Sequence, residues 1–163
     1  MGRAPRNLGA VYEIELPDGR FAYAQKLVSP LYAFFDVASE RHLAIDEVLP
    51  QNILFRIWVR SLAVKDGNWR RIGSRPPAPD LLVSPWFQKT DRMNGAVTIY
   101  RERPDLDQLY EEHLSTREEV ADLEPAAVWE AHHISERLVD HFAGRPCRIL
   151  ESLKNPVIPR PTH

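Results

Sequence analysis

The segment Ala10-Val11-Tyr12-Glu13-Ile14-Glu15-Leu16-Pro17-Asp18-Gly19-Arg20-Phe21-Ala22-Tyr23-Ala24-Gln25-Lys26-Leu27-Val28 decides the fold class. Tyr12, Ile14 and Leu16 alternate with Glu13 and Glu15, the period of two expected of a strand with one apolar face. Pro17-Asp18-Gly19 carries tight-turn chemistry, because proline presets φ and glycine accepts the left-handed conformation a reversal needs. Residues 21–28 then run back, and the whole reads as a β-hairpin.

Further strands follow on both counts, alternation and punctuation. Ser29-Pro30 ends the hairpin, and Leu31-Tyr32-Ala33-Phe34-Phe35-Asp36-Val37 places aromatics on both faces, as a central or covered strand does. In residues 52–60, Ile53, Phe55, Ile57 and Val59 oppose Arg56, Trp58 and Arg60. Asp66-Gly67 turns the chain into Trp69-Arg70-Arg71-Ile72, and Pro76-Pro77-Ala78-Pro79 is a polyproline-like connector. Residues 95–102 supply a last strand. After them Ala127, Ala131, Ile134, Leu138 and Phe142 recur at helical spacing, closed by Gly144 and Pro146. The start of that helix stays open: Pro125 fits a first helical position, while residues 126–130 also fit one more strand with the helix beginning near Ala131. The expectation is an α+β, mostly β fold, a curved antiparallel sheet or small barrel of five or six strands with a C-terminal helix. It spans a single domain, residues 1–163, with a β core at 9–102, an acidic segment at 103–124, a strand or helix at 125–144 and a tail at 145–163.

Composition excludes several function classes. The 163 residues carry 21 Lys+Arg and 23 Asp+Glu, a net charge of -2, so generic attraction to nucleic acid or anionic membranes is not favoured. Apolar residues make up 44%, enough for a packed core. One cysteine cannot form an internal disulfide and fits a reducing compartment. No run approaches the ~18 apolar residues of a membrane span, and the opening residues lack a signal-peptide core. The expected location is the cytoplasm.

Catalytic motifs are weak. Cys147 lies between Arg145 and Arg148, which favour a thiolate, but no oriented base accompanies it. A metal reading would use His132, His133 and His141, but adjacent histidines diverge by ~100° on a helix, His133 and His141 lie two turns apart, and no His-Glu-x-x-His spacing is present, so no metal site is expected, nor any cofactor. Residues 105–124 hold Asp105, Asp107, Glu111, Glu112, Glu118, Glu119, Asp122 and Glu124 against Arg117 alone, a local charge of -7. Such a stretch fits a solvated face, a pair of hydrolase carboxylates or a surface for a basic partner. Nothing matches a Walker loop, a dinucleotide fingerprint or Gly-x-Ser-x-Gly. An alternative is a small-barrel nucleic-acid binder using Arg56, Trp58, Arg60, Trp69, Arg70, Arg71 and Arg75, where rings stack on bases and cations hold phosphates.

Three ordered blocks carry a resemblance. They are Val11-Tyr12-Glu13-Ile14-Glu15-Leu16-Pro17-Asp18-Gly19-Arg20-Phe21-Ala22-Tyr23-Ala24, then Ile53-Leu54-Phe55-Arg56-Ile57 with Trp69-Arg70-Arg71-Ile72-Gly73, then Ala127-Val128-Trp129-Glu130 with Ile134-Ser135-Glu136-Arg137-Leu138. Together they cover most of residues 9–144, and in that order the chain resembles the immunity protein 26 family found beside polymorphic toxins in bacteria. The chain departs from the family pattern in lacking an acid soon after Gly9 and a glycine near Ala22 or Ala24. The resemblance implies a non-catalytic protein that binds and neutralises a cognate toxin, such as a nuclease, and it tips residues 126–138 toward strand then helix. A nuclease toxin has a basic substrate cleft, so Asp107, Glu111, Glu112, Glu118 and Glu119 are the expected partner-binding residues.

Overall fold

A computed structural model describes residues 6–103 and 109–159. Its strands are β1 (Ala10–Glu15), β2 (Phe21–Lys26), β3 (Leu31–Phe35), β4 (Ile53–Val59), β5 (Arg70–Ser74), β6 (Phe87–Thr90), β7 (Val97–Glu102), β8 (Tyr110–Leu114), β9 (Glu124–Pro125) and β10 (Val128–Trp129). The helices are α1 (Ile45–Val48), α2 (Ala63–Asp66), α3 (Ala131–Phe142) and α4 (Arg148–Lys154). Contacts divide the chain into two compact units, Met1–Val83 with Val128–Cys147, and Ser84–Ala127 with Arg148–His163.

The first unit is built outward from the β1–β2 hairpin, whose register sets Tyr12 opposite Ala24, Glu13 opposite Tyr23 and Ile14 opposite Ala22. Strand order is β10-β4-β3-β2-β1-β5, and the six strands form an open sheet with no closed barrel among the described residues. β3 lies between β2 and β4 and is buried along its length, as aromatics on both faces require. β5 crosses to the far edge, pairing antiparallel with β1. β10 adds in parallel on the other edge, with Val128 opposite Trp58. Residues 126–130 thus contain a short strand, and the helix begins at Ala131, which resolves the two readings of that segment.

Both faces of this sheet are covered. On one, the alanines of β2 leave room for Tyr12 and Phe34, and Trp69 packs edge-on to Tyr32 and Phe34 at centroid distances of 5.8 and 6.0 Å. α3 belongs to this side: Ile134 and Leu138 are fully buried, and the Arg137 guanidinium sits 3.7 Å from the Phe55 ring centroid. On the other face Val11, Tyr23, Phe35 and Val48 form a cluster closed by Leu43, Ile45 and Leu49. That second cover changes the reading of β1. Glu13 points away from Tyr12 and Ile14 as alternation demands, yet it is only 4% exposed because α1 and the segment before it overlie it.

The second unit holds a four-stranded sheet of order β8-β7-β6-β9. Buried Gln88 of β6 donates to the Val120 and Leu123 carbonyls at 3.0 and 2.7 Å, which fastens the acidic turn after β8 to this sheet. Val120, 1% exposed, anchors the same turn from within. No helix among the described residues is long and apolar enough to cross a membrane.

Candidate partner-binding surface

The acidic residues divide into two groups with different electrostatics. Glu111 and Glu112 are neighbours in β8, so their side chains leave opposite faces of the strand. Glu111 lies opposite Arg101 in the β7–β8 ladder, 3.4 Å from its guanidinium, and also ion-pairs closely with Arg103. Partial burial pushes its carboxyl up, but Arg101, Arg103 and His113 outweigh that and hold it below the usual glutamate range. Glu112 accepts a 2.9 Å hydrogen bond from Thr98 Oγ1 and stands 3.6 Å from Lys89 Nζ.

Glu118 and Glu119 sit in the turn that Gln88 fastens, and both are exposed. Glu119 accepts from Ser115 Oγ at 2.8 Å, and its backbone N–H donates to Thr116 Oγ1 at 3.3 Å. Arg117, the lone base of the segment, turns away to the Lys154 carbonyl at 2.7 Å and to Asn155. The sequence count of -7 therefore overstates the charge near β8, where cations of β6 and β7 stand against both glutamates, whereas Glu118 and Glu119 pair with no cation among the described residues. Asp107 lies outside the described residues.

The arginines and tryptophans of the nucleic-acid alternative are engaged elsewhere. Trp69 is 6% exposed in the core, which leaves no ring face for a base. Arg56 donates to the Val83 carbonyl at 2.8 Å, Arg60 pairs with Glu130, Arg71 donates to Asn7 at 3.3 Å, and Arg75 stands 3.7 Å from Asp46. His132 and His133 do not diverge as helical geometry alone suggests: their rings meet at 3.9 Å, and with Glu130 they place donor atoms within 4.8 Å of one another. Glu130 is at the same time the ion-pair partner of Arg60, a cation beside the spot a metal would take. Cys147 is buried.

One polar cluster went unread in the sequence. Glu13 Oε2 accepts from Tyr23 OH at 2.8 Å, while Oε1 meets His42 Nδ1 at 2.7 Å and Arg70 at 3.0 Å. Tyr23 OH in turn accepts from the Leu43 N–H at 2.8 Å. Burial alone would raise the Glu13 carboxyl, but bonds from Tyr23, His42 and Arg70 together with the Arg70 charge bring it below the ordinary range. Burial pushes the Tyr23 phenol up to about 12. The cluster ties the segment before α1 to β1, β2 and β5. Its one sequence signal was the hairpin register, which sets Glu13 opposite Tyr23.

A family model described as immunity protein 26 matches residues 7–97, the span from the approach to β1 as far as the first residue of β7. No curated protein and no solved structure matches the chain. The match covers more than half of the chain and includes the hairpin, β1 to β5 of the six-stranded sheet and the Glu13 cluster, while β8 with the acidic turn, β10 and α3 lie beyond it. The chain belongs to the immunity protein 26 family.

Proposed function

We propose that this protein is a non-catalytic immunity protein, which binds a cognate toxin in the cytoplasm and blocks its active site or an essential surface. Family membership is the observation that carries the reading. Inhibition of this kind asks for a rigid scaffold and a complementary surface of roughly 800 Å² per partner rather than for reactive groups. The sheet covered on both faces supports the first requirement, and the acidic second unit supports the second. A toxin with a basic cleft, such as a nuclease, would accept Glu118 and Glu119 where a phosphate backbone otherwise lies; Asp107, Glu111 and Glu112 are the further candidate contacts. Coexpression with the toxin encoded by the adjacent gene tests the function directly. Growth rescue together with a stoichiometric complex is the expected result, and toxicity undiminished by the wild-type chain would overturn it.

The acidic turn gives a sharper prediction. Reversing Glu118 and Glu119 to Lys should weaken the complex about tenfold at low ionic strength, mostly through slower association, and flatten its salt dependence. Both side chains are exposed and pair with no cation among the described residues, so thermal stability should stay within about 0.5 kcal/mol of wild type. Association kinetics that are unchanged at two salt concentrations would remove the turn from the interface. Glu111 is a poorer site for that experiment, because its loss leaves Arg101 and Arg103 facing each other without their shared partner.

A further inference from the structure

The hydrogen-bond phase of β8 determines which of its groups are free. Ser115 N–H donates to the Val97 carbonyl at 2.9 Å, and Arg103 N–H donates to the Leu109 carbonyl at 2.8 Å, bracketing the β7–β8 ladder. Bonded pairs alternate in an antiparallel ladder, so Glu111 and His113 direct their backbone groups at β7. The N–H and C=O groups of Tyr110, Glu112 and Leu114 therefore point outward, along an edge that no strand of the described residues covers. Their side chains share one face, where Tyr110 and Leu114, 51% and 83% exposed, flank Glu112.

Sheet edges of this kind are normally guarded against pairing, and Glu112 is a guard against one partner in particular. In the one antiparallel register that overlaps all five residues of two copies, Glu112 falls opposite Glu112. Like charges directly opposite destabilise a strand pair. A strand carrying Lys or Arg at that position meets the reverse situation. Thr98 and Lys89 both contact Glu112 Oε1, which leaves Oε2 without a partner among the described residues. Two positions to either side, the same strand would set apolar side chains against Tyr110 and Leu114.

Resting on the immunity reading above, we infer that β8 is a docking edge onto which the toxin adds a strand of pattern apolar-x-Lys/Arg-x-apolar, held by backbone bonds to Tyr110, Glu112 and Leu114. Main-chain bonds supply affinity in such strand addition, and the alternating side chains supply selectivity.

The probe is the capped peptide acetyl-Thr-Val-Thr-Lys-Thr-Val-Thr-amide, titrated into the full-length isotope-labelled protein and followed by amide NMR. The expected result is a shift of the Tyr110, Glu112 and Leu114 amides that exceeds those of Glu111 and His113. Replacing the peptide lysine by glutamate should weaken binding at least tenfold, and Glu112→Lys should invert that preference. Leu114→Pro removes one outward donor and no β7 bond, so it should abolish binding while the remaining amide spectrum stays folded. No binding, shifts centred elsewhere, or equal affinity for the two peptides would overturn the inference. With the toxin itself, neutralisation that survives Leu114→Pro overturns the docking edge and leaves toxin binding standing. Failure of the wild-type chain to neutralise overturns toxin binding, whatever the peptide does.

Discussion

Gly9→Ala should cost more than about 3 kcal/mol, a fall in Tm of roughly 6–12 °C for a chain of this length. Two separate effects combine there. Gly9 has φ +85°, a left-handed conformation that costs a residue with a Cβ roughly 1 kcal/mol or more. A Cβ would also stand 2.1 Å from the Arg75 carbonyl oxygen, which is backbone and cannot rotate aside. The close approach has a structural cause. Gly9 N–H donates to the Lys26 carbonyl at 2.8 Å, Arg75 N–H donates to the Gly9 carbonyl at 3.1 Å, and the buried Gln25 amide donates to the Gly9 and Arg75 carbonyls at 3.3 and 2.9 Å. The start of β1, the end of β2 and the exit from β5 thus converge on one residue without a side chain. Gly19 provides the control, with φ +87° and no atom within 4 Å of its would-be Cβ. Gly19→Ala should therefore show only the conformational cost, about 1 kcal/mol. Equal losses for the two variants in urea unfolding would show that the contact with Arg75 does not matter.

Removing the Glu13 carboxylate should be the other large effect. Glu13→Ala empties a buried site, takes from Tyr23 its acceptor and leaves Arg70 without its counter-charge, for an expected cost of about 2–3 kcal/mol at pH 7. Glu13→Gln keeps the volume and an acceptor for Tyr23, so it should lose less, and its deficit should depend on pH. The folded carboxyl lies below its unfolded value, so the ionised form is favoured by folding. Its contribution is complete above the unfolded pKa of about 4.3 and disappears as pH falls through the lower folded value. Wild type and Glu13→Gln should consequently converge in stability under acid and diverge on return to neutral pH. A gap between them that stays constant from pH 3 to pH 7 would mean that the charge contributes nothing and that only shape matters at this position.

The acidic segment illustrates how charge in a sequence differs from charge on a surface. Counting assigned residues 105–124 a single strongly negative character, while in the sheet Glu111 and Glu112 stand against Arg101 and Lys89, and the exposed Glu118 and Glu119 pair with no cation among the described residues. Tyr110-Glu111-Glu112-His113-Leu114 has no apolar alternation, and as a sequence it looks like loop. It becomes a strand because Arg101 lies opposite Glu111 and Thr98 and Lys89 bond Glu112 across the sheet, and none of those partners is local. β6 went unread for a similar reason, since its four residues end on Lys89 and Thr90 and carry one large apolar side chain, Phe87.

What the sequence determined by itself was everything governed by short-range periodicity and turn chemistry. The β1–β2 hairpin, the covered β3, the buried Phe55, Ile57 and Val59 of β4, and the Ile134–Leu138 stripe of α3 all follow from residues a few positions apart. The tertiary structure alone decided where β5 and β10 attach, whether the sheet stays open, and which polar groups are buried or exposed. Glu13 shows the physical reason. Alternation states which face of a strand a side chain leaves from, but whether water or α1 waits on that face depends on how distant segments pack, and that free energy is not stored in the strand's own residues.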